Sequence, residues 1–127
     1  MSWTSLDALG ESNDAPSRDQ IETYARIRLP SGAADVRARL EQVMTKRTMF
    51  VRLSLGPDDL DAFLSDSPFA GLLTRGELPE LLTRDPRPDW FAPERATSYL
   101  TGETNRSAVL VDSGDVSRPV VYVVARS

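Results

Sequence analysis

Apolar and polar residues alternate in two stretches of the first half of the chain. Over 21–29, Ile21, Thr23, Ala25, Ile27 and Leu29 fall on one side, and Glu22, Tyr24, Arg26 and Arg28 on the other. A period of two marks a half-buried strand, so 21–29 is predicted as the first strand, ended by the turn residues Pro30-Ser31-Gly32. Over 48–55, Met49, Val51, Leu53 and Leu55 face one way and Phe50, Arg52 and Ser54 the other, until Gly56-Pro57 breaks the run. Between these, 33–46 supports two readings. Val36, Leu40 and Val43 form a helical stripe among good helix formers, and intrinsic propensity alone favours a helix. Yet Val36, Ala38 and Leu40 also alternate with Arg37, Arg39 and Glu41.

The period then lengthens. Pro57 suits a first helical position, with Asp58 and Asp59 near the positive end of the helix dipole. Leu60, Phe63 and Leu64 give that helix an apolar stripe. Ser67-Pro68 reads as a second cap, with Phe69, Leu72 and Leu73 on the inner face and Gly76 as the stop. One more turn is expected within 77–83. The proline-rich stretch 84–93 reads as extended loop, because each residue before a proline is pushed out of the helical region. Pro93 is expected to open a short helix with Ala96, Tyr99 and Leu100 inward and Gly102 as its end. Two β-branched runs, Ala108–Asp112 and Val120–Ala125, flank a polar turn and predict an antiparallel hairpin in the middle of the sheet.

Length, 127 residues, fits one ordinary domain. Residues 1–20 are polar and read as a flexible arm, in which Trp3, Leu6 and Leu9 could form one docking turn; 21–127 is the single folded domain. The start of the chain has neither a basic segment nor an apolar run, and no stretch is long enough to span a membrane, so the expected location is cytoplasmic. With no cysteine and no histidine, disulfide scaffolds, thiolate and histidine nucleophile sets and thiolate or histidine metal sites are excluded. Arginine outnumbers lysine by 14 to 1, which we read as the imprint of a GC-rich, actinobacterial genome.

The motif order resembles a group of small actinobacterial proteins, often predicted to be lipid- or membrane-attached, for which no activity is established. The matching pieces are Leu29-Pro30 with Ala34-Asp35-Val36, Phe50-Val51-Arg52-Leu53, Asp59-Leu60 with Phe63-Leu64, Trp90 with Pro93, and Val109–Asp112 with Val121-Tyr122. They cover about 21–125. The resemblance implies that 35–43 is a strand hairpinned to 48–55, and we adopt it over propensity. The chain departs from that group in having no attachment cysteine or membrane span. The expected fold is therefore α+β: an antiparallel sheet of four or five strands, with short helices inserted between strands three and four and packed on one face.

Charge is segregated. Residues 21–55 hold seven bases and three acids, whereas 56–89 hold eight acids and three bases. If the three early strands are neighbours, Arg26, Arg28, Arg37, Arg39 and Arg52 share the outer face with Tyr24 and Phe50 among them. That composition suits carboxylates, phosphates or an acidic protein surface. Trp90, beside Phe91 on a proline-bounded loop, is either an interface anchor or a cap on the core. Asp58, Asp59, Asp61 and Asp66, with Glu77 and Glu80, form a solvated acidic face. Asp112 and Asp115 flank a glycine as turn residues commonly do.

These features predict a non-catalytic binding domain with a protein partner and no cofactor. The net charge of −4 argues against nucleic acid. Two alternatives fit the same residues: an acidic immunity- or antitoxin-type protein masking a toxin, and a small hydrolase using the Asp112/Asp115 carboxylates, with or without a metal.

Overall fold

A computed structural model describes residues 11–115 and 117–127; the expected turn around Trp3, Leu6 and Leu9 lies outside them. The elements in order are β1 (Glu11–Asn13), α1 (Arg18–Ala25), β2 (Ala34–Val43), β3 (Lys46–Ser54), α2 (Pro57–Ser65), α3 (Glu80–Thr83), a single 3-10 turn (Pro93–Arg95), β4 (Tyr99–Glu103), β5 (Ser107–Asp112) and β6 (Val120–Arg126). The strands form one antiparallel six-stranded sheet in the order β1-β2-β3-β6-β5-β4. The class is α+β as expected, with more strands than expected. The β5–β6 hairpin stands where the sequence pattern puts it, and 34–43 is the strand adopted over helix propensity, paired with β3; β5 and β6 are interior strands, as their continuous apolarity implies.

Stretch 21–29 is not a strand. Ser17 caps α1: its hydroxyl accepts from the Gln20 backbone at 3.1 Å, and the Gln20 side chain accepts from the Ser17 backbone at 2.8 Å. This reciprocal box satisfies two amides that a helix start leaves open. Ile21 and Ala25, four apart, are the buried stripe of the helix, and Arg26 ends it in the left-handed region at φ 59°. Only then does the chain extend, burying Ile27 and Leu29. The apparent period of two therefore joined one helical pair to one extended pair. Glu22 accepts from the Leu29 amide at 2.8 Å and Arg18 donates to the Leu29 carbonyl, which folds the extended segment back along the helix. Residues 11–20, within the stretch read as an arm, carry β1 and the start of α1.

Two other elements change type. Ser67–Gly76 is a series of turns: the Ser67 hydroxyl donates to the Leu64 carbonyl and accepts from the Phe69 amide, and Gly71 takes a positive φ of 76°. The segment expected to continue the Pro93 helix is instead strand β4, and Gly102 lies inside it. A Cβ there would come within 3.3 Å of Leu73 and 3.4 Å of the Leu72 carbonyl, so glycine lets the 72–74 segment close over the edge. Thr74 and Thr101 exchange backbone hydrogen bonds of 2.8 and 2.9 Å at that edge, which shields an otherwise open row of strand donors and acceptors.

Both faces of the sheet are covered, not one. Successive strand residues point to opposite faces. Met49, Val51, Leu53, Val109, Val111, Val121 and Val123 join Ile21, Ala25, Phe63 and Phe69 in a first core under α1 and α2. Phe50, Ala108, Leu110, Tyr122 and Val124 join Leu82 and Phe91 in a second core under the 78–96 segment. In that second core, Phe91 meets Phe50, Tyr122 and Trp90 edge to face, with ring centroids 5.2, 5.4 and 6.1 Å apart.

Candidate functional site

The arginine face expected from three adjacent strands is not assembled. Because 18–25 is a helix, Tyr24, Arg26 and Arg28 belong to the side of the first core, where Arg26 and Arg28 are exposed. The Arg47 guanidinium lies 5.2 Å above the Tyr24 ring on that side. Arg37, Arg39, Arg52 and Phe50 do share the opposite face, in the cross-strand pairs Arg37 with Arg52 and Arg39 with Phe50. Arg39 is neutralised by Asp14 and Glu41. Burial pushes the Glu41 carboxyl up, against the pull of Arg39 beside it. Arg52 donates to the Tyr122 hydroxyl at 3.4 Å and lies 5.8 Å over its ring. Phe50 is a buried core residue, and half-buried Trp90 caps Phe91. Trp90 also lines a small cleft with Arg37 and Val36 at the β2 edge.

A larger concavity than the Trp90 cleft lies at the end of the sheet where the β2–β3 and β4–β5 turns and the end of β6 meet. Its volume is about 620 Å³, within the size range of small-molecule sites. Five cationic residues line it, Lys46, Arg47, Arg84, Arg106 and Arg126, of which Arg47 turns its guanidinium to Tyr24. The topology gathers them. Thr48 stands opposite Arg126 and Ser107 opposite Ala125, so the start of β3, the end of β6 and the residue before β5 come side by side. Hydrogen bonds fix this end: the Arg126 amide donates to the Arg106 carbonyl at 2.8 Å, the Ser127 amide to the Arg47 carbonyl at 2.9 Å and the Arg47 amide to the Ser127 hydroxyl at 2.9 Å.

The groove lies between the second sheet face and the segment carrying α3. Phe50 and Val124 form its sheet wall and Leu81 its roof wall, with Asp85, Pro86 and Ser127 also lining it. Phe50 and Val124 are buried, Leu81 is half-buried, and all five cations are exposed, so polarity rises from depth to mouth. Arg84 pairs with Glu80 at 3.2 Å. Lys46, Arg106 and Arg126 make no salt bridge among the described residues. Asp85 is engaged by Arg87 at 3.1 Å.

Arg87 is the clamp of this roof. Its guanidinium holds Glu94 with two bonds of 2.7 and 2.9 Å and also reaches the Leu82 carbonyl at 3.4 Å. The hydrogen bonds from Arg87 hold the Glu94 carboxyl below the usual glutamate range. The acidic helix α2 packs over the first core, on the other side of the sheet from the groove.

Sequence reasoning missed the groove because its cations are far apart in the chain. One signal was available: a hairpin spanning 108–125 puts the residues flanking it, Arg106 and Arg126, at the same end. The carboxylates at the hairpin turn serve the turn itself. Asp112 accepts from the Gly114 amide at 2.9 Å, and Asp115 from the Ser117 amide and hydroxyl at 3.0 and 2.6 Å. Those bonds from Ser117 hold the Asp115 carboxyl low. No cluster of three or more potential metal ligands occurs among the described residues, and no helix there is long and apolar enough to cross a membrane. No family model, curated protein or solved structure matches the chain.

Proposed function

We propose that this chain is a binding domain that captures an anionic group of its ligand or partner in the groove at the strand ends, without itself carrying out chemistry. The observation that carries this reading is the convergence of Lys46, Arg106 and Arg126, none with a carboxylate partner among the described residues, on the mouth of one cavity. Neighbouring cations repel one another, Asp85 on the same lining being already engaged by Arg87, and an incoming anion relieves that repulsion while gaining charge-assisted hydrogen bonds. The expected partner recognition thereby moves from the arginine face to the sheet end. A protein carboxylate or phosphate is a suitable group.

The test is a titration with inorganic phosphate at low ionic strength, followed by backbone amide NMR. Saturable shifts at 46–48, 105–107 and 125–127 are expected. The double variant Arg106→Gln, Arg126→Gln, altered only at exposed side chains, should weaken binding by about tenfold or more if each charged hydrogen bond contributes its usual share. Equal affinity in the double variant would remove the groove as the anion site.

A further inference from the structure

Resting on the groove reading, we infer that the natural ligand is an organic anion with an apolar body: a carboxylate or phosphate head at Lys46, Arg106 and Arg126, and a hydrocarbon part against Phe50, Leu81 and Val124.

Three observations carry this. The first is size. A volume of about 620 Å³ greatly exceeds the space a bare inorganic anion fills, and sites for small organic ligands fall in this range. The second is the order of the walls. A receptor for a bare anion surrounds it with donors, whereas here the buried part of the lining is aromatic and aliphatic and the cations are confined to the exposed mouth. Water against the deep wall finds few partners there, and an apolar group that displaces it gains affinity. The third is preorganisation. The roof segment is fixed independently of any ligand, by Leu82 and Phe91 in the second core and by the Arg87 bonds to Glu94 and Asp85. A ligand therefore does not have to order the roof that covers it, a cost that otherwise reduces affinity. The same layout disfavours an extended polyanion, which would bring successive charges against an apolar wall.

A chain-length series tests the inference on the unaltered protein. Acetate, hexanoate and decanoate, the last kept below its micellar concentration, are titrated beside inorganic phosphate while the Leu81 and Val124 methyl signals are followed. Affinity should rise about fourfold for each methylene that enters the groove, and the two methyl signals should move with the longer acids but not with phosphate. In Leu81→Asn that dependence on chain length should flatten, and in Leu81→Met it should persist. If phosphate binds at the arginines but affinity is the same for all three acids, the apolar body is wrong and the anion site stands. If neither phosphate nor any of the acids binds, the groove reading falls with it.

Discussion

Phe91→Ala is the most informative single perturbation of this fold, because Phe91 joins the roof segment to the sheet. It is 1% exposed and touches three aromatic rings, two of them on strands β3 and β6. Truncating a fully buried phenylalanine costs about 3–5 kcal/mol, from lost transfer energy plus the cavity left behind. The edge-to-face contacts keep this site from the lower end of that range, and about 4 kcal/mol is expected. For a chain of 127 residues, that corresponds to a fall of about 2 M in the urea midpoint for a slope near 2 kcal/mol/M. The melting temperature should drop by about 15 °C. Urea unfolding followed in parallel by tryptophan fluorescence and far-ultraviolet circular dichroism measures it. Trp90 meets Phe91 edge to face, so with Trp3→Phe in both proteins its fluorescence reports the roof directly. A midpoint shift below about 0.5 M with an unchanged slope would mean that the 78–96 segment is not packed on the sheet. The second core, and the groove it roofs, would then be wrong.

Two further outcomes follow from local chemistry. Ser17→Ala removes the hydroxyl half of the α1 capping box and should cost about 1 kcal/mol, read as a matching drop in unfolding free energy with faster amide exchange in the first turn; no change would mean that α1 is not held by its cap. Glu94, held low by the Arg87 hydrogen bonds, contributes stability that is present above its unfolded-state value and lost as pH falls through the folded one. Glu41, raised by burial, acts in the opposite sense, because its protonation on acidification relieves a cost of the folded state. Between about pH 5 and pH 3, unfolding curves of Glu94→Gln should therefore be flatter than those of the unaltered protein. An identical acid slope in the two proteins would show that the Arg87 clamp is not made in solution. Its half-exposed setting keeps the effect modest.

The parts of this fold that could be read from the chain are those where one local pattern suffices. The run Met49–Leu55 alternates strictly, Pro57 with Asp58 and Asp59 starts a helix, and the valine-rich runs around 110 and 122 announce interior strands; each stands where expected. Ser17 and Gln20 have the spacing of a capping box, a signal left unread within the polar arm, and the alternation from Ile21 to Leu29 hid the helix, since periodicity cannot distinguish one long strand from a short helix followed by an extended segment. Over 35–43 propensity pointed to a helix, and pairing with β3 overrides it: every residue from Arg37 to Val43 stands opposite a partner in β3.

By itself, the sequence determined the α+β class, the hairpin of β5 and β6 and the absence of thiol and imidazole chemistry, because these depend on residue type and near-neighbour order. Only the tertiary structure decided which side chains share a surface. Strand order brings Lys46, Arg106 and Arg126 to one end of the sheet, while a helix in place of a strand sends Tyr24, Arg26 and Arg28 to the other face from Arg37 and Arg52. That choice rests on the burial of apolar groups contributed by segments far apart in the chain, a quantity no local window contains.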